Sequence, residues 1–296
     1  MHAGNTSATM SLSSLHLDAF YAAAQSLNFS QAARELHITQ SALSQRIKAL
    51  EEDIHLTLFV RMPRGVQLTE AGERLLRYCQ ARNSLEKELL EELTGDKHEG
   101  LGGPLRIAGY SSVVRSVLIP ATHSLLSEHP NVQPHFQNAE MRNLPDMLLT
   151  GMVDFIVTDT EFHRHDVECI ELGREEYVLV QSTDNPPPDE TYLDHDPDDR
   201  ISQQFLASQD IPVPSYRRSF FDEIYAIIDA TARGMGRAVV SRHLIENHPG
   251  VEIVSGYQSM SMPVLLYYHR QPFYTELHKA VIETLTSECP PLLALH

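Results

Sequence analysis

Between Thr39 and Lys48 the polar residues Gln40, Ser41, Ser44, Gln45 and Lys48 recur at a spacing that puts them on one side of a helix, while Leu43, Ile47, Leu50 and Ile54 take the other. Their short amides and hydroxyls can donate to and accept from base edges, and the first amides of such a helix can meet a phosphate. That is the chemistry of a major-groove reader. The same pattern also describes the solvated face of any amphipathic helix, so this segment alone leaves DNA binding and a plain surface about equally open.

The flanking segments would have to position that face. Apolar residues at helical spacing predict three short helices, through Leu15, Ala19, Ala22, Ala23 and Leu27, then Ala32, Ala33 and Leu36, then Leu43, Ile47, Leu50 and Ile54. Ser30 is placed to cap the second and Thr39 the third, with Ile38 packing on Leu43 as a hydrophobic staple. Residues 58–68 read as two alternating arms around a Pro63-Arg64-Gly65 tip, a small β wing that would bring Arg61 and Arg64 to the DNA backbone or minor groove. An amphipathic stretch over 70–93 carries Leu75, Cys79, Leu85, Leu89 and Leu93 on one side. A helix of that length, roughly 35 Å at 1.5 Å per residue, has no core of its own and predicts a dimer through paired helices.

Residues 95–104 hold four glycines and a closing proline and read as a hinge. Beyond it, strand-like runs at 105–108, 132–136, 154–158, 177–180, 237–241 and 263–268 alternate with helical ones at 113–129, 144–150, 221–233 and 275–286, which predicts a parallel α/β architecture. Residues 184–199 read as a Pro/Asp-rich loop.

Composition bounds the function. With 42% hydrophobic and 21% charged residues the 296-residue chain is an ordinary globular one of two or three folding units. Its formal net charge of −17 would repel nucleic acid at long range, so any polyanion site must be local. Residues 1–94 hold nine basic and eleven acidic residues, and 95–296 hold fourteen and twenty-nine. The acidity therefore lies beyond the hinge. Three scattered cysteines, Cys79, Cys169 and Cys289, exclude a disulfide framework and a cysteine metal cage, and no apolar run approaches the roughly 20 residues of a membrane span. A cytoplasmic protein without membrane attachment is expected, with residues 1–13 as a disordered lead.

The residues then match something more specific. Ala32-Ala33, Leu36, Thr39-Gln40-Ser41-Ala42, Ser44, Ile47, Leu50-Glu51, Leu58-Phe59, Arg61, Arg64, Leu68-Thr69 and Ala71-Gly72 together resemble the winged helix-turn-helix signature of LysR-type transcriptional regulators. The run 38–51 looks most like the branch controlling basic amino-acid export. Two positions depart from the pattern: His55 stands where a glycine usually ends the recognition helix in a left-handed turn, which histidine tolerates better than most residues, and Ser241-Arg242 follows Gly234–Val240 where a proline is commoner.

The resemblance implies an α+β multi-domain chain: a winged helix-turn-helix over 14–69, a linker and dimerisation helix over 70–94, a hinge over 95–103, and a two-lobed α/β domain like periplasmic binding proteins over 104–296, with lobe I at 104–181 and 257–296 and lobe II at 182–256. It implies double-stranded DNA as partner, contacted by Ser30, Thr39, Gln40, Ser41, Ser44, Gln45, Lys48, Arg61 and Arg64, and assembly as a dimer or tetramer. It also implies a small-molecule effector, an amino acid or organic acid, held between the lobes by Ser111, Ser112, Asn138, Thr158, Asp159, Ser202, Gln203 and Phe221, with Phe220 and Phe221 opening a lobe II helix. Core packing is the stronger reading of the two aromatics. The competing class is a small-molecule-binding or enzymatic α/β domain fused to a helical adaptor.

Other signals lead nowhere. His163-Arg164-His165-Asp166 lacks further ligands at fixed spacing, Cys169 lacks a resolving cysteine, and Gly234-Met235-Gly236 lacks the third glycine of a dinucleotide site. No cofactor, no metal and no enzymatic motif is expected.

Overall fold

The computed structural model describes residues 12–62, 65–94, 100–187, 190–210, 215–246 and 248–294. Two compact units divide the chain between Lys97 and His98, with Leu149–Gly151 grouping with the first.

In the first unit three helices form where the apolar spacing places them: α1 (Ser14–Ser26), α2 (Phe29–Glu35) and α3 (Gln40–Ile54). Thr39 caps α3 as expected, its Oγ1 accepting from Ala42 N at 3.1 Å. His55 ends α3 in the left-handed region at φ 55°, the conformation for which glycine is usual. Ser30 does not cap α2. Asn28 does, its Oδ1 accepting from Ser30 N and Gln31 N at 3.0 and 3.1 Å, because the helix starts one residue before Ser30 and a cap must precede the first helical residue.

The wing is an antiparallel hairpin of β1 (Phe59–Met62) and β2 (Gly65–Leu68). Two small clusters hold the unit together, one around Leu17, Phe20, Leu50, Leu58, Leu76 and Cys79, the other around Ala19, Ala23, Ala32, Ala33, Leu43 and Ile47. Phe59 packs against both, its ring 5.4 Å from Phe20 and 5.2 Å from Phe29. Residues 1–11 of the expected lead lie outside the described residues, and Leu12 packs against the first cluster.

Helix α4 (Glu70–Thr94) buries Leu76 and Cys79 in its first half and is tied to α1 by Arg82 and Asp18 at 2.6 Å. Its second half leaves the apolar stripe uncovered, with Leu89 52% and Leu93 72% exposed.

The second unit is built on a mixed sheet in the order β4-β3-β5-β11-β6-β9-β7-β8, with β10 on β6. Strands β3 (Gly102–Gly109), β4 (Asn131–Asn138) and β5 (Phe155–Thr158) are parallel. The 16-residue β6 (Val167–Ser182) and β11 (Met260–His269) run antiparallel to each other, and β11 also to β5, so the expected all-parallel sheet is corrected to a mixed one. β7 (Thr191–Asp194), β8 (Arg217–Phe220) and β9 (Arg237–Ser241) complete lobe II, with β10 (Val251–Ile253).

β7 falls inside the stretch read as a loop. Tyr192 and Leu193 are buried there, but four residues between turn formers give too short a pattern to register as a strand.

Between β3 and β4 the chain is helical from α5 (Ser111–Val113) through a π-turn (Val114–Leu118) into α6 (Ile119–Glu128). Pro120 has no N–H for the Ser116 carbonyl and its ring crowds that position, which accounts for the widened turn. Helices α7 (Leu144–Leu149), α8 (Ile201–Ala207) and α9 (Ile224–Ala232) follow. The last, α10 (Glu276–Leu293), runs past the expected stop at 286 through Pro290 and Pro291, held by Cys289 and Leu293 in the lobe I core.

Phe220 ends β8, and α9 begins only at Ile224 with Glu223 as its cap, so neither phenylalanine opens that helix.

The two lobes have separate cores. Lobe I gathers Leu105, Ile107, Val117, Phe155, Leu172, Leu266, Val281 and Leu285, and lobe II gathers Val178, Val180, Leu193, Ile228, Ala238 and Val240. Since Val178 and Val180 belong to lobe II and Tyr257 and Met260 pack against its second cluster, the chain crosses within β6 before residue 182 and returns within β11 after residue 257. Gly102 and Gly103, assigned to the hinge, already pair with Asn131 and Val132. The hinge residues 95–99 lie outside the described residues.

Gly72 fixes how closely α4 approaches the strand before the wing: a Cβ there would lie 2.3 Å from the Leu58 carbonyl oxygen. Gly72→Ala is expected to destabilise the first unit by about 2 kcal/mol, read as a lowered urea midpoint in circular dichroism of the full chain.

Candidate functional site

The first candidate surface is the outer face of α3. Leu43, Ile47 and Leu50 are buried, which turns Gln40, Ser41, Gln45 and Lys48 to solvent and leaves Ser44 half-buried between the faces. Thr39 is exposed while capping, and Ser30 Oγ donates to Gln40 Oε1 at 3.2 Å, so the start of α2 orients the first side chain of α3. Lys48 Nζ lies 3.4 Å from Glu52 Oε1 in a pair so exposed that a phosphate can replace the carboxylate at little cost. Glu51 Oε1 accepts from Leu58 N at 2.7 Å and anchors the start of the wing to the inner side of α3. Arg61 lies in β1. Arg64 and the side chain of Arg61 lie outside the described residues.

The second candidate is the seam between the two lobes. Ser116 Oγ of the π-turn meets His243 Nε2 of lobe II at 2.8 Å, and Arg115 lays its guanidinium 3.9 Å above the Tyr225 ring. Arg142 reaches Asp198 at 3.6 Å, and Glu140, His195 and Asp196 bring one donor atom each within 4.8 Å of one another. Tyr110, just ahead of α5, donates to Glu175 Oε2 at 2.8 Å, and Tyr177 donates to the same oxygen at 3.1 Å. Burial pushes the Asp159 carboxyl above its usual range, with Asp199 of lobe II adding to the shift.

The sequence-predicted effector residues separate on this map. Ser111 is half-buried at the start of α5, Ser112 is buried with its carbonyl accepting from Ser116 Oγ at 2.5 Å, and Asp159 is partly buried at the end of β5. Thr158 is buried, its Oγ1 accepting from Thr160 N, and Asn138 is exposed at the end of β4. Ser202 is 1% exposed and donates to the buried Asp194 at 2.5 Å, so its hydroxyl is engaged within lobe II. Gln203 beside it is exposed. Phe221 packs against the lobe II core, as the packing reading of that aromatic has it.

Comparison with known proteins decides the family. Residues 15–73 match the model described as "Bacterial regulatory helix-turn-helix protein, lysR family", and residues 98–290 match "LysR substrate binding domain". The chain belongs to the LysR family. It is a LysR-type transcriptional regulator with a helix-turn-helix DNA-binding domain and an effector-binding domain. Among its curated relatives is the transcriptional activator IlvY of Salmonella typhimurium, 26% identical over 247 residues that cover 79% of this chain and 83% of IlvY. Two solved structures share the LysR fold over nearly the whole chain at 20% identity: ArgP from Mycobacterium tuberculosis (TM-score 0.78, 94% of this chain and 98% of that one) and LysG from Corynebacterium glutamicum with bound effector Arg (TM-score 0.74, 93% and 97%).

In this LysR-type regulator several seam residues went unnoticed in the sequence: Tyr110, Ser116, Glu175, Tyr177, Asp199, Ser241 and His243. The signal available was slight. Arg174-Glu175-Glu176 is polar in the middle of what proves to be one long strand, and only the burial pattern of β6 shows that Glu175 faces inward. A hollow of about 410 Å³ between Phe162, His163, His165, Cys169 and Tyr267 contains none of the predicted effector residues. Among the described residues no helix is long and apolar enough to cross a membrane.

Asp194 shows what holds lobe II at the seam. Its side chain is fully buried, and burial raises its pKa against the opposing pull of Ser202 and Arg218, which bonds it through Nε. Arg218→Ala, by leaving that carboxylate unpaired, is expected to cost about 3 kcal/mol at pH 7.5 in urea unfolding. The loss should be smaller at pH 5, where the orphaned Asp194 can take up a proton.

Proposed function

We propose that this regulator reads double-stranded DNA with Gln40, Ser41, Ser44 and Gln45 in the major groove, while Ser30, Thr39, Lys48, Arg61 and Arg64 hold the backbone and minor groove. The observation that carries the reading is the division of α3 into one buried apolar face and one solvated face of short hydrogen-bonding side chains. Residues 30–66 carry five basic and four acidic residues, too little charge for one copy to bind tightly. Two copies joined through the exposed leucines of α4 would gain by effective concentration, so the working unit is a dimer, or a tetramer formed from dimers.

The effector site is the lobe seam at Ser111, Ser112 and Asp159, with Asn138, Thr158 and Gln203 around it. Asp159 and Asp199 supply negative charge there, and the unit is strongly acidic, which favours an effector bearing a protonated nitrogen, such as an amino acid, over a multiply charged anion. The arginine carried by LysG belongs to that class. Binding draws the lobes together and shifts the assembled dimers, which alters the bend of the bound DNA. The protein acts in the cytoplasm and catalyses no reaction.

Two measurements test this reading. In mobility shifts on the gene's own upstream region, Ser44→Ala or Gln45→Ala is expected to relax sequence preference by about 1–3 kcal/mol. Arg64→Ala should weaken specific and random duplexes alike and lower the salt slope by about 1. Equal losses on both duplexes for all three would refute the assignment. Separately, Leu89→Asp with Leu93→Asp is expected to convert the assembly to a monomer in analytical ultracentrifugation and to abolish the shift; a doubly substituted chain that still sediments as a dimer would place the pairing surface elsewhere.

A further inference from the structure

Glu175 lies on β6 two residues before Tyr177, which pairs with Met260 of β11 and with Ser241 of β9 and so marks where the strand passes from one lobe to the other. Its side chain is 0% exposed. Oε2 accepts the hydroxyls of Tyr110 and Tyr177, and the Ser241 hydroxyl also bears on the buried carboxyl. His243 Nε2 lies 3.6 Å from Oε1, on the lobe II turn that Ser116 of lobe I also contacts.

The groups that bear on this carboxyl come from every side of the seam. Tyr110 and Asp159 come from lobe I, with Arg115 and Ser116 of the π-turn. Tyr177 comes from β6 itself, and Ser241, His243 and Tyr225 from lobe II, with Asp199 acting on Tyr177 and Asp159. Asp159 repels an ionised Glu175, and Arg115 is stacked on Tyr225. No ion pair among the described residues brings an arginine or lysine to Glu175.

A carboxylate buried with no cation is costly; a carboxylic acid in the same place is not, because its O–H can be given to the Ser241 oxygen, whose own hydroxyl turns to His243 Nδ1. We propose that Glu175 is a proton-linked latch between the lobes: the joined arrangement holds Glu175 protonated, and separation of the lobes hydrates the carboxyl and releases its proton to water. The contacts that latch would govern are side-chain ones, Ser116 to His243 and His243 beside Glu175, set between two independent cores.

Burial pushes Glu175 up to about 7 even though the tyrosine hydroxyls favour its ionised form, and burial pushes His243 down to about 4. In the neutral range the pair therefore keeps its proton on the carboxyl. A hydrated glutamate ionises near 4.3. Below that value the joined and separated forms bind the same number of protons. Between it and about 7 the joined form binds one more, so joining weakens as the pH rises, by up to roughly tenfold per unit, and it levels off above.

The full chain tests the latch in two ways. Infrared difference spectra between pH 6 and pH 8.5 should show a carboxylic-acid C=O band that is lost at the higher pH with a midpoint near 7 and is missing from Glu175→Gln. Hydrogen exchange in 110–116 and 241–244, corrected for the intrinsic chemistry, should lose protection as the pH rises from 5 to 7 in the natural chain and hold constant in Glu175→Gln. Burial holds His243 down to about 4, below the range scanned. If Glu175→Gln fails to fold, the infrared midpoint of the natural chain stands alone, and Tyr110→Phe, which removes a donor to the ionised form, should move that midpoint upward. A natural chain with no titrating acid band, or the same pH slope of protection in both chains, would overturn the latch. Loss of DNA binding in α3 variants bears on the DNA-reading face and leaves this result unaffected.

Discussion

A single strand that must serve two cores constrains the whole regulatory unit. Along β6 the inward positions give Leu172 to lobe I and Val178 and Val180 to lobe II. The strand cannot slip by one residue without turning both sets to the wrong face. Its pairing partner changes at Tyr177, from β11 to β9, so the backbone hydrogen bonds continue while the hydrophobic layers do not. Such a crossing joins the lobes covalently but leaves their relative arrangement to side chains, and those side chains are polar: Tyr110, Ser116, Glu175, Tyr177, Ser241 and His243. A ligand or a proton can compete with polar contacts of that kind, whereas it could not part a continuous apolar core.

The DNA-reading unit rests on agreement among local signals. The Thr39 cap, the packing of Ile38 on the cluster that holds Leu43, the period of Leu43, Ile47 and Leu50 and the left-handed stop at His55 each specify the same helix boundaries. That agreement explains why α3 and its outward face were legible in the sequence. Gly72 and Glu51 then fix the wing and α4 against it, one by the absence of a side chain and the other by accepting the Leu58 amide.

Where local signals were ambiguous or short, reading stopped. Asn28 and Ser30 are both good capping types, and only the start of α2 at Phe29 decides between them. The four residues of β7 are too few for a period to show, and the antiparallel course of β6 and β11 depends on pairing across about ninety residues of chain, which no local pattern carries. Ser202 looked like a loop hydroxyl because its partner Asp194 is eight positions away on a strand that was itself unread. Glu175 is the extreme case. In sequence it is one of two adjacent glutamates, and burial alone distinguishes it from its half-buried neighbour.

The uneven charge of the chain follows from the same division of labour. A strongly acidic regulatory unit would oppose an anionic duplex at low ionic strength, but at physiological salt the screening length is about 8 Å, so charges farther than that from the phosphates contribute little. Binding then depends on residues able to touch the duplex, and 1–94 are close to charge balance, with nine basic against eleven acidic residues. A reader with so little net attraction gains specificity, since nonspecific affinity scales with the number of phosphates neutralised while base-edge hydrogen bonds do not. The deficit in affinity has to come from coupling copies, and the uncovered leucines of α4 are the apolar surface on which such coupling can be built.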